Sequence, residues 1–212
     1  AKRKTSSGRD QPGAQAGSRG REGAAGPRSL RLLSFNIHAA TSTERFHQYV
    51  THSWRQVLPN SQRVENLDQI SDLVGDFDMV ALQEVDTGSL RSGFLNQSRY
   101  IATHAGMPYC FHQSNRKVGT MSLTGNGFLS RFEPRAVEEH RLPGVIPGRG
   151  SMILRFGGAR GLVIAVVHLA LGRRARDQQL RYLVEHLDDA HHLVVLGDFN
   201  THVDSPQVQA FC

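Results

Sequence analysis

The 212-residue chain reads as a mixed α/β domain in which β-sheet layers are covered by helices. Short apolar runs of strand length recur along it, two longer stretches space their apolar residues by three and four, and turn residues in the middle link neighbouring strands. The regular strand–helix alternation of a doubly wound parallel sheet is absent from the pattern.

Arg31 to His38 (RLLSFNIH) predicts a short strand that ends in polar residues. Residues 39–60 are polar and aromatic and read as a loop or short helix. From Ser61, apolar residues at 64, 67, 70, 73 and 74 predict an amphipathic helix that Gly75 ends. Met79–Leu82 (MVAL) is a buried strand running straight into Gln83-Glu84-Val85-Asp86. Residues 87–98 read as a polar loop, and Tyr100–Met107 as the end of a second helix. Three β-like runs follow, at Tyr109–Gln113, Gly127–Ser130 and Ala136–Arg141. Ser151–Phe156 and Gly161–His168 flank Gly157-Gly158-Ala159-Arg160, a hairpin signal. Ala175–Leu187 predicts a helix with Leu180, Leu183, Val184 and Leu187 on one face. His192–Leu196 is a buried strand that delivers Gly197-Asp198-Phe199-Asn200.

Charge divides the chain. The formal net charge is +6, yet residues 1–30 carry +5 of it, with six glycines, two prolines and one branched aliphatic, Leu30. Such a stretch buries too little apolar surface to offset its ordering entropy, so residues 1–30 are expected to be a disordered basic tail and residues 31–212 the domain. The near-neutral body argues against non-specific duplex binding, which rests on many Lys/Arg–phosphate contacts. Two cysteines exclude a disulfide-stapled scaffold. No apolar run approaches the ~20 residues of a membrane-spanning helix, and the expected location is cytoplasmic.

Four apolar strand candidates each end in a residue capable of catalysis: Asn36, Glu84, His168 and the pair Asp198/Asn200. Taken singly, each has a simpler explanation: a solvated loop carboxylate, a turn-forming Asp or Asn, a core histidine. Together they offer two carboxylates, two carboxamides and one imidazole on rigid strand ends. That set suits Mg²⁺ better than zinc, because a hard cation takes oxygen ligands and keeps several waters. Arg91, in the loop soon after Glu84, and Arg149, in Pro147-Gly148-Arg149-Gly150, each read either as a guanidinium that meets a phosphate or as a solvated surface arginine. The run Arg173-Arg174-Ala175-Arg176 reads as solvated charge.

Ser34-Phe35-Asn36, Leu82-Gln83-Glu84-Val85, His168-Leu169 and Gly197-Asp198-Phe199-Asn200, in this order, resemble the endonuclease/exonuclease/phosphatase superfamily. Gly125-Asn126-Gly127-Phe128-Leu129-Ser130 resembles its internal Gly-Asn-x-x-Leu-Ser segment. The resemblance implies a four-layer sandwich of two mainly antiparallel β-sheets flanked by helices. It implies Mg²⁺, or Mn²⁺ in its place, held by Glu84 with support from Asn36. It gives Asp198 the attacking water, and His168 and Asn200 the phosphoryl oxygens. Asn126 and Arg149 are the candidates for substrate binding. The family's further Asp and terminal Ser-Asp-His segment have no counterpart after Asn200, so the last strands are expected to be missing and hydrolysis by this chain to be poor or absent. The expected activity is metal-dependent phosphoester hydrolysis, on a small phosphoester, a phospholipid head group or a nucleic acid. Two other readings stay open: a non-catalytic interaction module that keeps the fold, and a nucleic-acid binder acting through the basic tail. Oligomeric state is not set by the sequence.

Overall fold

Strands that are apolar on both faces need cover on both faces, and this is what MVAL and LVIAVV receive. The computed structural model describes residues 29–37, 60–88, 95–118, 122–145 and 148–212. All but the last two residues of the expected tail, all of residues 39–59, and Arg91 lie outside these. The elements run β1 (Leu32–Asn36), α1 (Asn60–Gly75), β2 (Met79–Asp86), α2 (Gln97–His104), β3 (Tyr109–Val118), β4 (Ser122–Ser130), β5 (Ala136–Arg141), β6 (Gly150–Arg155), β7 (Leu162–His168), α3 (Arg173–Leu187), β8 (His192–Asp198) and α4 (Pro206–Phe211).

Two four-stranded sheets form, in the orders β1-β2-β4-β3 and β5-β6-β7-β8. The pairs β1–β2 and β7–β8 are parallel and the other four antiparallel. Each parallel pair is closed by a crossover helix, α1 in the first case and α3 in the second.

Strand alternation sorts the apolar residues into three layers. Met79, Ala81 and Phe128 of the first sheet meet Met152, Leu154, Ile164 and Val166 of the second between the sheets. Val80, Leu82 and Leu129 face outward onto Leu67 and Val74 of α1 and Ile101 of α2. Ile153, Val163, Ala165 and Val167 face outward onto Leu180, Leu183 and Leu187 of α3. The result is a four-layer helix–sheet–sheet–helix sandwich. Each fully buried Val, Leu, Ile, Phe or Met among these contributes about 1.5–3 kcal/mol.

Several boundaries differ from the sequence expectation. β2 continues through Gln83–Asp86 instead of ending at Leu82. β3 and β4 are longer than their apolar cores, because ladder pairing carries polar residues along. α2 starts inside the expected loop, where the Asn96 side chain accepts from the Arg99 amide at 3.0 Å and caps it. α4 carries no apolar signal long enough to read; Ser205 caps it and Pro206 opens it. On α3 the buried face is Arg176, Gln179, Leu180, Leu183 and Leu187, and Val184 is half exposed. Arg176 is therefore not solvated.

Among the described residues β8 has no strand on its outer side, and Leu193 is 39% exposed. No described helix is long and apolar enough to cross a membrane.

Candidate active site

Parallel pairing sets the C-terminal ends of neighbouring strands side by side. In β1–β2 this puts Asn36 opposite Gln83, one residue before Glu84. In β7–β8 it puts His168 opposite Asp198. β1 and β2 both contact β8, so the two pairs of ends meet at one edge of the sandwich.

The side chains converge on one imidazole nitrogen. His168 Nε2 lies 3.9 Å from Glu84 Oε1 and 3.7 Å from Asp198 Oδ2. Asn36 Nδ2 donates to Asp198 Oδ2 at 3.2 Å. The Arg149 guanidinium donates to the same His168 Nε2. His168 is buried, while the Glu84 and Asp198 side chains are 37% and 30% exposed. The carboxylates thus face water beside a buried ring.

Local backbone geometry aims these groups. A β-bulge falls between Leu82 and Val85, and Glu84 sits in it with φ 57°. A bulge kinks the strand and re-aims the side chain it carries. Asn200 adopts φ 50°, a conformation that Asn tolerates better than most residues. Its backbone N–H donates to Asp198 Oδ1 at 2.8 Å, and its Nδ2 donates to the Leu169 carbonyl at 2.8 Å. Asp198 therefore accepts one hydrogen bond on each oxygen, which fixes the plane of its carboxylate.

Of the residues singled out in the sequence, Asn36, Glu84, Arg149, His168 and Asp198 come together, with Asn200 braced against the segment that follows His168. Asn126 does not join them directly. It is fully buried, and its Nδ2 donates to the Gly150 carbonyl at 3.0 Å and to Gln113 Oε1 at 3.4 Å. Its Oδ1 is buried without a hydrogen-bond partner. Gln113 went unnoticed in the sequence; its Nε2 donates to the His140 and Ser151 carbonyls, both at 3.1 Å, and ties the two sheets together. No sequence signal marks a glutamine in a polar strand for that task. A separate cavity of about 450 Å³, lined by Arg135, Glu138, Arg155 and Asp189 among others, opens at the opposite ends of β7 and β8.

The donor chemistry fits Mg²⁺. Glu84, Asp198 and the Asn36 carboxamide offer oxygen, and the partial exposure of both carboxylates leaves room for water ligands. Among the described residues no group of three or more His, Cys, Asp and Glu is gathered to hold a metal. Mg²⁺ asks for less, being commonly held by one or two carboxylates with waters completing the octahedron.

The sequence profile of the Endonuclease/Exonuclease/phosphatase family matches residues 33–212. No curated protein matches the chain. Similar solved structures include humanized D. rerio TDP2, at 17% identity and TM-score 0.56. The endonuclease/exonuclease/phosphatase from Bacteroides vulgatus follows at 18% and 0.58, and ANGEL2, a 2′,3′-cyclic phosphatase, at 20% and 0.59. Each alignment covers 85% of this chain, but the chain spans only 65%, 69% and 55% of those structures, respectively. At these identities the likeness is one of fold.

Proposed function

We propose that this chain, which belongs to the endonuclease/exonuclease/phosphatase family, hydrolyses a phosphoester by attack of water at phosphorus. The observation that carries the reading is the convergence of Glu84, Asp198 and Arg149 on His168 Nε2. Carboxylates, a guanidinium and an imidazole at one exposed edge are the parts that phosphoester hydrolysis needs.

Glu84 and Asn36 would hold Mg²⁺ or Mn²⁺. Such a cation, when bound, supplies positive charge against the anionic phosphoryl group and the leaving oxygen. Asp198, fixed by Asn36 and by the Asn200 amide, orients the attacking water and takes its proton. A phosphoryl oxygen competes with His168 Nε2 for the Arg149 N–H. Arg149 and His168 would then hydrogen-bond the phosphoryl oxygens where charge develops. Asn200 spends one carboxamide N–H on Leu169 and offers the second to a phosphoryl oxygen. Asn126 supports the pocket from behind, through Gly150.

The substrate is a small phosphoester, a phospholipid head group or a nucleic acid; of these we favour the first two on the near-neutral charge of residues 31–212. The test is hydrolysis of bis(p-nitrophenyl) phosphate and p-nitrophenyl phosphate with Mg²⁺, run beside Mg²⁺ calorimetry. Slow turnover lost on chelation, and reduced at least a hundredfold in Asp198→Asn, is expected. Absence of both turnover and Mg²⁺ binding would leave the non-catalytic module as the reading.

A further inference from the structure

We infer that Gln179 is a positioning residue that sets the Arg149–His168 contact from the outer face of the second sheet. This rests on the proposed hydrolysis at that site only for its consequence on rate; the contact itself is read from geometry.

Gln179 lies on α3 and is 1% exposed. Its carboxamide spends both ends on two loops and on nothing else in its own helix. Oε1 accepts from the Ala170 amide at 2.8 Å, and Nε2 donates to the Pro143 carbonyl at 2.9 Å. Ala170 lies two residues past His168. Pro143 follows Leu142, whose amide donates to the Arg149 carbonyl at 3.1 Å and closes the loop that carries Arg149. One side chain therefore spans the two segments whose ends meet as Arg149 and His168.

Arg176, one turn earlier, steadies the same segment. Its guanidinium donates to the Ala170 and Leu171 carbonyls and to Gln207 Oε1 of α4. The His168 side of the clamp is held by Arg176, by Gln179 and by the pairing of β7 with β8. The Arg149 side is held by the Leu142–Arg149 hydrogen bond, by the pairing of Gly150 with Arg141, and by Gln179 through Pro143. Loss of Gln179 therefore removes the link that α3 supplies to both segments, and the turn at Pro143 that leads toward Arg149 loosens. A buried carboxamide with each end matched to one backbone group is costly to replace by an apolar side chain, because the Ala170 N–H and the Pro143 carbonyl are then left unsatisfied.

The experiment compares the full chain with Gln179→Met, which keeps the length and loses both bonds, and with Gln179→Glu, which keeps the acceptor for Ala170 and loses the donor to Pro143. The first readout needs no turnover: the {¹H}–¹⁵N NOE of Arg149 Nε. It is expected to fall from a restrained to a mobile value in Gln179→Met, and to fall in Gln179→Glu too, since only the Pro143 link is cut there. The second readout is kcat/KM on bis(p-nitrophenyl) phosphate in wild-type and Arg149→Ala backgrounds. A loss of about tenfold from Gln179→Met in the first background, shrinking below threefold in the second, is the coupling expected of a residue acting through Arg149. Unchanged Arg149 order in folded Gln179→Glu overturns the inference, as does an equal loss in both backgrounds. Absence of both wild-type turnover and Mg²⁺ binding, with the expected change in Arg149 order, upholds the positioning role and refutes the hydrolytic reading.

Discussion

Gly197 makes the sharpest stability prediction. It sits in β8 directly before Asp198, opposite Val167 of β7, with φ +148°. A Cβ built there falls 1.9 Å from the Val167 carbonyl oxygen and 2.8 Å from its carbon. Ordinary contact begins near 3.4 Å, so the strands must part locally by roughly 1.5 Å. The obstructing atoms are backbone and cannot rotate aside. One ladder hydrogen bond lost costs about 0.5–1.5 kcal/mol, and the disfavoured φ about 1–3 kcal/mol. Gly197→Ala is therefore expected to destabilise by about 2–4 kcal/mol, a fall in Tm of roughly 5–15 °C. Urea titration followed by circular dichroism measures it. Gly158→Ala is the control, since nothing lies within 4 Å of a Cβ there and no positive φ is required; it is expected within about 0.5 kcal/mol of wild type. Because Asp198 moves with its neighbour, hydrolysis is expected to fall about a hundredfold in folded Gly197→Ala. A Gly197→Ala protein as stable as the control would refute the reasoning.

Further expectations concern the metal, a surface ion pair and the two thiols. Glu84→Gln keeps the side-chain shape and removes a charged oxygen ligand, so Mg²⁺ binding by calorimetry is expected to weaken at least tenfold; unchanged binding would place the cation elsewhere. Arg155 pairs with Glu138 at 3.1 Å and with Asp189 at 3.0 Å, but those carboxylates are 46% and 69% exposed. Arg155→Ala is therefore expected to cost no more than about 1 kcal/mol in a urea titration, and a larger loss would mean the pair is desolvated. Burial pushes the Cys110 thiol up to about 11 despite the pull of Arg99, while Cys212 is exposed. At pH 8 a thiol-reactive dye is expected to label one cysteine quickly, with Cys110 following only as the pH climbs toward 11 and its thiolate forms. Two equally fast reactions at pH 8 would contradict that.

What was legible in the sequence was whatever a single strand or helix decides locally. The apolar runs located the buried strands because both faces of β2 and β7 are covered. Asn36, Glu84, His168 and Asp198 stood out because each interrupts an apolar run at its end, and parallel pairing then does the gathering. What stayed hidden depends on partners distant in the chain. Arg176 looks like solvated charge beside Arg173 and Arg174, and only the carbonyls of residues 170 and 171 and Gln207 make its burial tolerable. Val184 fits the apolar stripe of α3 by spacing, yet Gln179 takes the buried place because two loops need a carboxamide there. Asn126 carries a motif's position, and its attachment to Gly150 instead of the open site could not be read from spacing. The strand β3 outran its apolar core because hydrogen bonding, unlike hydrophobicity, does not ask what the side chain is.

The two sheets also differ in when they can exist. Every strand of the first lies between residues 32 and 130, and every strand of the second between 136 and 198. The chain emerging from a ribosome can complete the first sheet while the second is still unmade, leaving Met79, Ala81 and Phe128 with no opposing layer. The hydrogen bond from Asn36 to Asp198 spans 162 residues and joins the first of the described strands to the last of them. The site thus forms only after β8 has been made, and a nascent chain carries an apolar sheet face before it carries any chemistry.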